Sequence, residues 1–272
     1  MASWAVLVYA DKCIGCGACI VACQSWNNRE AVKTEFSPNF TNPPDLSVNS
    51  WRIVRYFEYK HDKKIRFNGR EVVLRDAPAW VAVPWACLHC ADAPCARVCT
   101  GRAIKVTREG AVVVNQEECV GCKRCYTLCP YKIPRFDVEG KMYKCTFCVD
   151  RLQAGLKPAC VKACSSGALE FTSLEKALDK ARQLKAGGMK VYGIDLTAYV
   201  GGHTRWIYVM SKEKAEKIYP QLFPEELPPE RDVEPVMYKV MRYASPALLG
   251  GAAILALAYA ILEWRSRRKG SQ

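Results

Sequence analysis

Histidine is scarce, with three in 272 residues: His61, His89 and His203. The apolar stretch 246–262 has none, so it offers no imidazole to a haem. The chain has no Rossmann fingerprint and no phosphate loop, which removes dinucleotide and nucleotide chemistry of those kinds. Acidic side chains are few, 27 against 40 Lys and Arg, for a formal charge of +13. Such an excess raises nucleic-acid binding, but no nucleic-acid motif accompanies it, and no nucleic-acid partner is expected. The first residues lack a basic start, a long apolar region, a cleavage site and a twin-arginine pair. No export signal of the chain's own is expected. One more absence organises the rest: no cysteine lies outside four short runs.

The runs are Cys13, Cys16, Cys19, Cys23; Cys87, Cys90, Cys95, Cys99; Cys119, Cys122, Cys125, Cys129; and Cys145, Cys148, Cys160, Cys164. Runs one and three read C-x2-C-x2-C-x3-C, the spacing of bacterial ferredoxins, whose fourth cysteine ligates the other of two clusters. Sixteen thiolates at four per cluster predict four [4Fe–4S] clusters. A disulfide framework fits poorly. Cysteines three apart in a tight loop converge on one point, and disulfide scaffolds are usually shorter chains. Zinc is the stronger rival for soft thiolates, although its sites usually offer two Cys-x2-Cys pairs. Gly15 and Gly121 sit between the first two ligands of their runs, where a tight turn brings N–H groups toward sulfur. Pro130 supplies the usual Cys-Pro ending to run three alone.

Sixteen bound thiolates and four oxidised cores of +2 each would reduce the net charge to about +5. Much of the basic excess therefore balances clusters. The cations nearest the runs are Arg97, Lys123, Arg124, Lys132, Arg135, Lys144, Arg151, Lys157 and Lys162. Cations beside a cluster favour its reduced state. His89, between Cys87 and Cys90, is placed to tune a cluster; His61 and His203 read as ordinary polar side chains.

Residues 4–10 read as a strand leading into run one, and 27–50, with Pro38, Pro43 and Pro44, as a loop. Strands are expected at 51–59 and 80–85, with a hairpin turning at Asn68-Gly69. A second hairpin, 103–107 with 111–114, joins runs two and three into one compact two-cluster unit. Runs one and four are left to pair across this insertion. Residues 172–186 read as an amphipathic helix, capped by Thr172 and Glu175, with Leu174, Ala177, Leu178, Ala181 and Leu184 on its apolar face. Gly187 suits its end. A strand at 205–210 and a polar helix from 211 to about 219 follow.

The expected fold is α+β: two nested ferredoxin-like two-[4Fe–4S] units with inserted β-hairpins, plus one C-terminal transmembrane helix. Residues 1–80 and 140–219 form the first unit, and 81–139 the second. A Pro-rich arm covers 220–244, the membrane helix 245–264 and a basic tail 265–272. The uncharged segment 246–262 would span about 25 Å as a helix, against a hydrocarbon core of about 30 Å. Tyr243 and Trp264 are placed as interfacial aromatics. Arg265, Arg267, Arg268 and Lys269 put the C-terminus in the cytoplasm and the cluster region on the other side. The rival is a buried C-terminal helix of a soluble complex.

Four clusters with no substrate site beside them make an electron wire. Several stretches carry a resemblance: 11–27, the NPPDLSVNSW of 42–51, the YKCTFCVDRLQAGLKPACVKAC of 143–164, and 196–210 with its Gly-Gly-His. They resemble the iron–sulfur β subunits of membrane-associated formate dehydrogenases, within the four-cluster subunits of molybdenum/tungsten-bis(pterin) oxidoreductases. The resemblance implies ligand sets Cys13, Cys16, Cys19, Cys164; Cys23, Cys145, Cys148, Cys160; Cys87, Cys90, Cys95, Cys129; and Cys99, Cys119, Cys122, Cys125. It implies no catalytic residue in this chain. It also implies a molybdenum or tungsten pterin catalytic subunit upstream, a membrane cytochrome b or other quinone-linked subunit downstream, and contact with membrane lipid. A signal on the catalytic subunit would export both. The same wire could serve a polysulfide, tetrathionate or dimethyl-sulfoxide reductase, or a membrane hydrogenase. A zinc-binding structural protein is the remaining alternative.

Overall fold

The computed structural model describes residues 3–37 and 40–229. Pro38, most of the arm, the apolar segment 246–262 and the basic tail lie outside the described residues. Among the described residues no helix is long and apolar enough to cross a membrane.

The chain opens with β1 (Trp4–Tyr9), one 3-10 turn (Ala10–Lys12) and α1 (Ala18–Trp26). A long ribbon of β2 (Arg52–Phe67) and β3 (Arg70–Ala86) follows. Then come α2 (Pro94–Arg97), β4 (Ile104–Val106), β5 (Val112–Val114), α3 (Arg124–Thr127), β6 (Arg135–Phe136) and β7 (Met142–Tyr143). The last part holds α4 (Val149–Gln153), α5 (Ala159–Lys162), β8 (Leu169–Ser173), α6 (Leu174–Ala186), β9 (Lys190–Tyr192), β10 (Trp206–Met210) and α7 (Lys212–Leu222).

Four strands form one sheet in the order β8-β1-β10-β9. β1 runs parallel to β10, with Val6 opposite Trp206, and antiparallel to β8, with Val6 opposite Phe171. Strand side chains alternate between faces. Ala5, Leu7 and Tyr9 of β1, with Ile207 and Val209 of β10, meet Ala177 and Ala181 of α6. The two alanines let the helix lie close. Leu174, Leu178 and Leu184 complete the contact, so the apolar face expected from the sequence is the one buried. Full burial of Leu7 and Ile207 stabilises by about 1.5–3 kcal/mol each. The opposite face is also buried, through Val6, Val8, Trp206, Tyr208 and Met210. Trp206 meets Phe147 at 5.9 Å and Tyr208 meets Trp85 at 5.9 Å. Both partners lie close to cysteine runs. The sheet is thus a wall with α6 behind it and cysteine loops in front.

The expected strands around Asn68-Gly69 prove to be one continuous ribbon, with a register shift between His61 and Lys63. Residues 60–64 are almost wholly polar and show no alternation, so the sequence carries no strand signal there. Backbone pairing continues through them. Asn68 and Gly69 have φ of 48° and 77°, as the tightest hairpin turns require.

Three expectations change. Thr172 lies in β8, so it cannot open the helix; Ser173 precedes α6 and its side chain makes no capping bond. β1 holds this segment extended one residue further than the capping pattern predicts. The arm does not start at 220. Pro220 lies in the last turn of α7, held by the burial of Ile218 and Leu222 one turn apart. The pairs β6–β7 and β10–β9 were not expected; β6, β7 and β9 are two or three residues long, too short for a period to register.

Candidate metal centres

None of the sixteen cysteines is in a disulfide. Cys19, Cys23, Cys87, Cys90, Cys125, Cys145, Cys148 and Cys160 are buried. Cys16 and Cys122, the second cysteines of the two ferredoxin-spaced runs, are exposed.

Two cavities organise runs two and three. One is lined by Cys87, Cys90, Cys95 and Cys129, with Val112, Ile133 and Lys144. The other is lined by Cys99, Cys119, Cys122 and Cys125, with Ile104, Lys123 and Phe136. The hairpin β4–β5 contributes Ile104 to one and Val112 to the other. In each cavity three cysteines come from one run and the fourth from the other.

Runs one and four meet through helices. The αL conformation of Gly17 starts α1, which carries Cys19 and Cys23 one turn apart. α1 packs on α5, which carries Cys160. Gly15 has φ of +70°, and a Cβ there would lie 2.8 Å from the Tyr56 ring. The Tyr56 hydroxyl donates to the Gly15 carbonyl and fastens this loop to β2.

The thiols feel one another. Burial, and then the neighbouring Cys160, Cys13 and Cys16, push Cys19 up to about 12, with Arg52 opposing. Burial and Cys160 push Cys23 up to about 12. Burial, with Cys23 and Cys148 nearby, raises Cys145. Burial, with Cys164 and Cys16 nearby, raises Cys13. Links also join the groups: Cys19 to Cys160, Cys145 to Cys87, and Cys95 to Cys125.

These residues fit iron–sulfur clusters. Soft sulfur ligands crowd around enclosed space, and a bound cation would lower thiol pKa values that burial alone raises. Donors already point at sulfur: Phe147 N–H to Cys145 Sγ at 3.4 Å, Thr100 Oγ1 to Cys122 Sγ at 3.4 Å, and Asn27 Nδ2 to Cys23 Sγ at 3.7 Å. Burial would raise Cys122, but the Thr100 hydroxyl, backbone N–H groups and Arg124 hold it below the ordinary thiol value. Among the described residues, no three His, Cys, Asp or Glu side chains converge as one metal ion needs. Zinc would draw four sulfurs to about 2.3 Å from one centre. The eight cysteines of runs two and three line two cavities instead.

The expected cations divide. Arg97 pairs with Asp92 at 2.6 Å, and Arg135 with Asp45 at 2.5 Å, so carboxylates already compensate both. Arg151 donates to the Lys157 carbonyl at 2.7 Å and lies over Trp26. Lys132 donates to the Thr127 carbonyl at 2.7 Å. Lys144 is buried; its ammonium donates to the carbonyls of Val112 and Cys145. His89 is fully buried, accepts the Val112 N–H on Nδ1 at 2.9 Å and stacks on Phe147 at 5.0 Å. Burial, with Lys144 and Arg52 nearby, lowers its pKa and keeps it neutral, so the proton sits on Nε2. Sequence reasoning missed Arg52, the most buried arginine of the site, because it lies in β2, 29 positions beyond Cys23 and 35 before Cys87. No signal along the chain would have found it.

Two family models match, each described as a 4Fe-4S dicluster domain, at residues 12–103 and 78–174. The chain is 35% identical over 221 residues to the nitrate-inducible formate dehydrogenase iron–sulfur subunit of Escherichia coli, covering 79% of this chain and 70% of that one. It is 31% identical over 263 residues to the formate dehydrogenase iron–sulfur subunit of Haemophilus influenzae, covering 94% and 79%. The B component of the anaerobic dimethyl sulfoxide reductase of Haemophilus influenzae is 31% identical over 172 residues, covering 63% and 74%. Cysteine cavities and relatives converge: the chain belongs to the family of formate dehydrogenase iron–sulfur subunits, and it transfers electrons without being a catalyst itself.

Proposed function

We propose that this chain conducts electrons through four [4Fe–4S] clusters from a formate-oxidising molybdenum or tungsten pterin subunit to a membrane cytochrome b or other quinone-linked subunit. The ligand sets would be Cys13, Cys16, Cys19, Cys164; Cys23, Cys145, Cys148, Cys160; Cys87, Cys90, Cys95, Cys129; and Cys99, Cys119, Cys122, Cys125. The observation that carries this reading is that the last two sets each surround one cavity. When bound, each cluster supplies a site that takes up and releases one electron. The protein buries Cys23, Cys87, Cys90, Cys145, Cys148 and Cys160, directs N–H and O–H donors at sulfur and keeps a buried Lys144 beside Cys145.

The first and last of these sets contain the exposed cysteines, Cys16 and Cys122. Beside them, Ile14 is 69% and Val120 67% exposed, in matching positions of Cys-Ile-Gly-Cys and Cys-Val-Gly-Cys. Redox partners would dock at these two ends. The segment 246–262 would cross the membrane once, with the basic tail in the cytoplasm and the cluster region outside.

The test is to purify the complex through this chain and add formate. Reduction of the clusters, followed by reduction of a quinone, is expected. Clusters that stay oxidised with formate, yet are re-oxidised by dimethyl sulfoxide after chemical reduction, would instead favour the reductase reading. The relationship to a dimethyl sulfoxide reductase component motivates that second reading.

A further inference from the structure

Arg52 is 1% exposed, and none of its three guanidinium nitrogens has a hydrogen-bond partner. A fully buried cation is costly unless an anion faces it. No Asp or Glu among the described residues forms an ion pair with Arg52. Its flat face is covered by Trp206, with the guanidinium carbon 4.1 Å from the ring centroid. Stacking occupies a face and leaves the five N–H donors around the edge unused.

Trp206 in turn meets Phe147, which lies between Cys145 and Cys148, at 5.9 Å. Arg52 opens β2, which packs against α1 and its Cys19 and Cys23, and it pairs with Ala86 next to Cys87. Burial alone would lower the pKa of Arg52, but Cys160, Cys19 and Cys145 outweigh it and raise the value. In return Arg52 opposes the rise at Cys13, Cys19, Cys23, Cys145 and Cys148. These cysteines come from both ligand sets of runs one and four. His89 and Tyr208 also feel this charge.

We propose that Arg52 is a potential-setting residue shared by two clusters: its unused N–H edge faces the sulfurs of both sets in runs one and four and stabilises both in their reduced state. This rests on the four-cluster reading above. A permanent cation with a rigid fork suits the role, because it stays charged when buried and can serve two acceptors at once. Of the three buried Lys and Arg side chains among the described residues, Lys144 and Arg151 already have carbonyl acceptors and Arg52 has none.

The test is a redox titration of the full-length complex, followed by electron paramagnetic resonance, for the parent and for Arg52→Gln and Arg52→Lys. In Arg52→Gln, two of the four potentials should fall, each by a tenfold or larger loss in the reduction equilibrium, about 59 mV for one electron. The other two should hold within threefold. Arg52→Lys keeps the charge and loses the fork, so the same two should fall by less. Unchanged potentials in Arg52→Gln at full iron content would overturn the proposal, as would an equal shift of all four. If Arg52→Gln assembles no clusters, Arg52→Lys must recover them; loss from both variants would mark a packing role and also overturn it. A parent protein without four cluster signals would fail the four-cluster reading instead, so the two failures are distinguishable.

Discussion

The region of runs one and four and the region of runs two and three present the same number of cysteines in different settings. The first rests on a four-stranded sheet with a helix behind it. Its charge compensation is a fully buried arginine without a carboxylate. The second is held by two short hairpins, β4–β5 and β6–β7, and by one-turn helices. Its cations are paired to Asp92, bonded to carbonyls, or placed at a cavity rim. One region has an apolar core that would exist without metal. The other has little besides its two cavities, so ligation must supply more of its folding energy.

The largest expected effect breaks a cavity. Cys95→Ala removes one of the four sulfurs around the cavity of Cys87, Cys90, Cys95 and Cys129. Formate-driven quinone reduction should fall more than tenfold, and one cluster should be lost or converted to a three-iron form. Proteolysis should then begin between residues 87 and 143, while the sheet of β1, β8, β9 and β10 persists. Cleavage first in the sheet would reverse the comparison.

Next comes overpacking of the apolar core. Ala181 is 0% exposed under the sheet, so Ala181→Leu should cost about 1–3 kcal/mol and lower the melting temperature. Cluster content should be unaffected in the second region.

A matched pair of glycines sharpens the contrast. Gly15 and Gly121 have φ of +70° and +69°. Alanine costs roughly 1 kcal/mol or more in that conformation at either site. At Gly15 the new Cβ also strikes the Tyr56 ring, and at Gly121 it would lie 3.0 Å from the Gly140 carbonyl. Tyr56→Leu should relieve much of the Gly15→Ala defect, measured as recovered melting temperature; no side chain can be trimmed to relieve Gly121→Ala.

The smallest effect lies on the surface of the sheet region. Burial raises the pKa of Glu170, but the Lys180 ammonium at 2.8 Å and the Tyr9 hydroxyl at 3.0 Å outweigh it and hold the carboxylate below its ordinary value. A depressed carboxylate contributes stability above its unfolded pKa, and that contribution is lost as pH falls through the folded value. This pair is part-exposed, so Glu170→Gln should cost under about 1 kcal/mol at neutral pH. The difference from the parent should vanish in acid, below both pKa values.

Much of the site can be read along the chain because its information is local. Cysteine spacing, Asn68-Gly69 and the apolar face of α6 each lie within one turn, one hairpin or one helix. The rest is held by distance. β1 meets β10 across 200 residues, as Val6 opposite Trp206, and no local period announces that partner. Arg52 draws its environment from α1 and Trp206, so its surroundings exist only once they are assembled. The cations beside the cysteines misled in part for the same reason: Asp92 is near Arg97 in sequence, but Asp45 reaches Arg135 from 90 residues away.

The most direct test of the central claim is a metal and acid-labile sulfide count on anaerobically purified protein. Four clusters predict about sixteen iron and sixteen sulfide per chain. Zinc without sulfide, or iron and sulfide near eight in an intact and fully loaded preparation, would contradict the account.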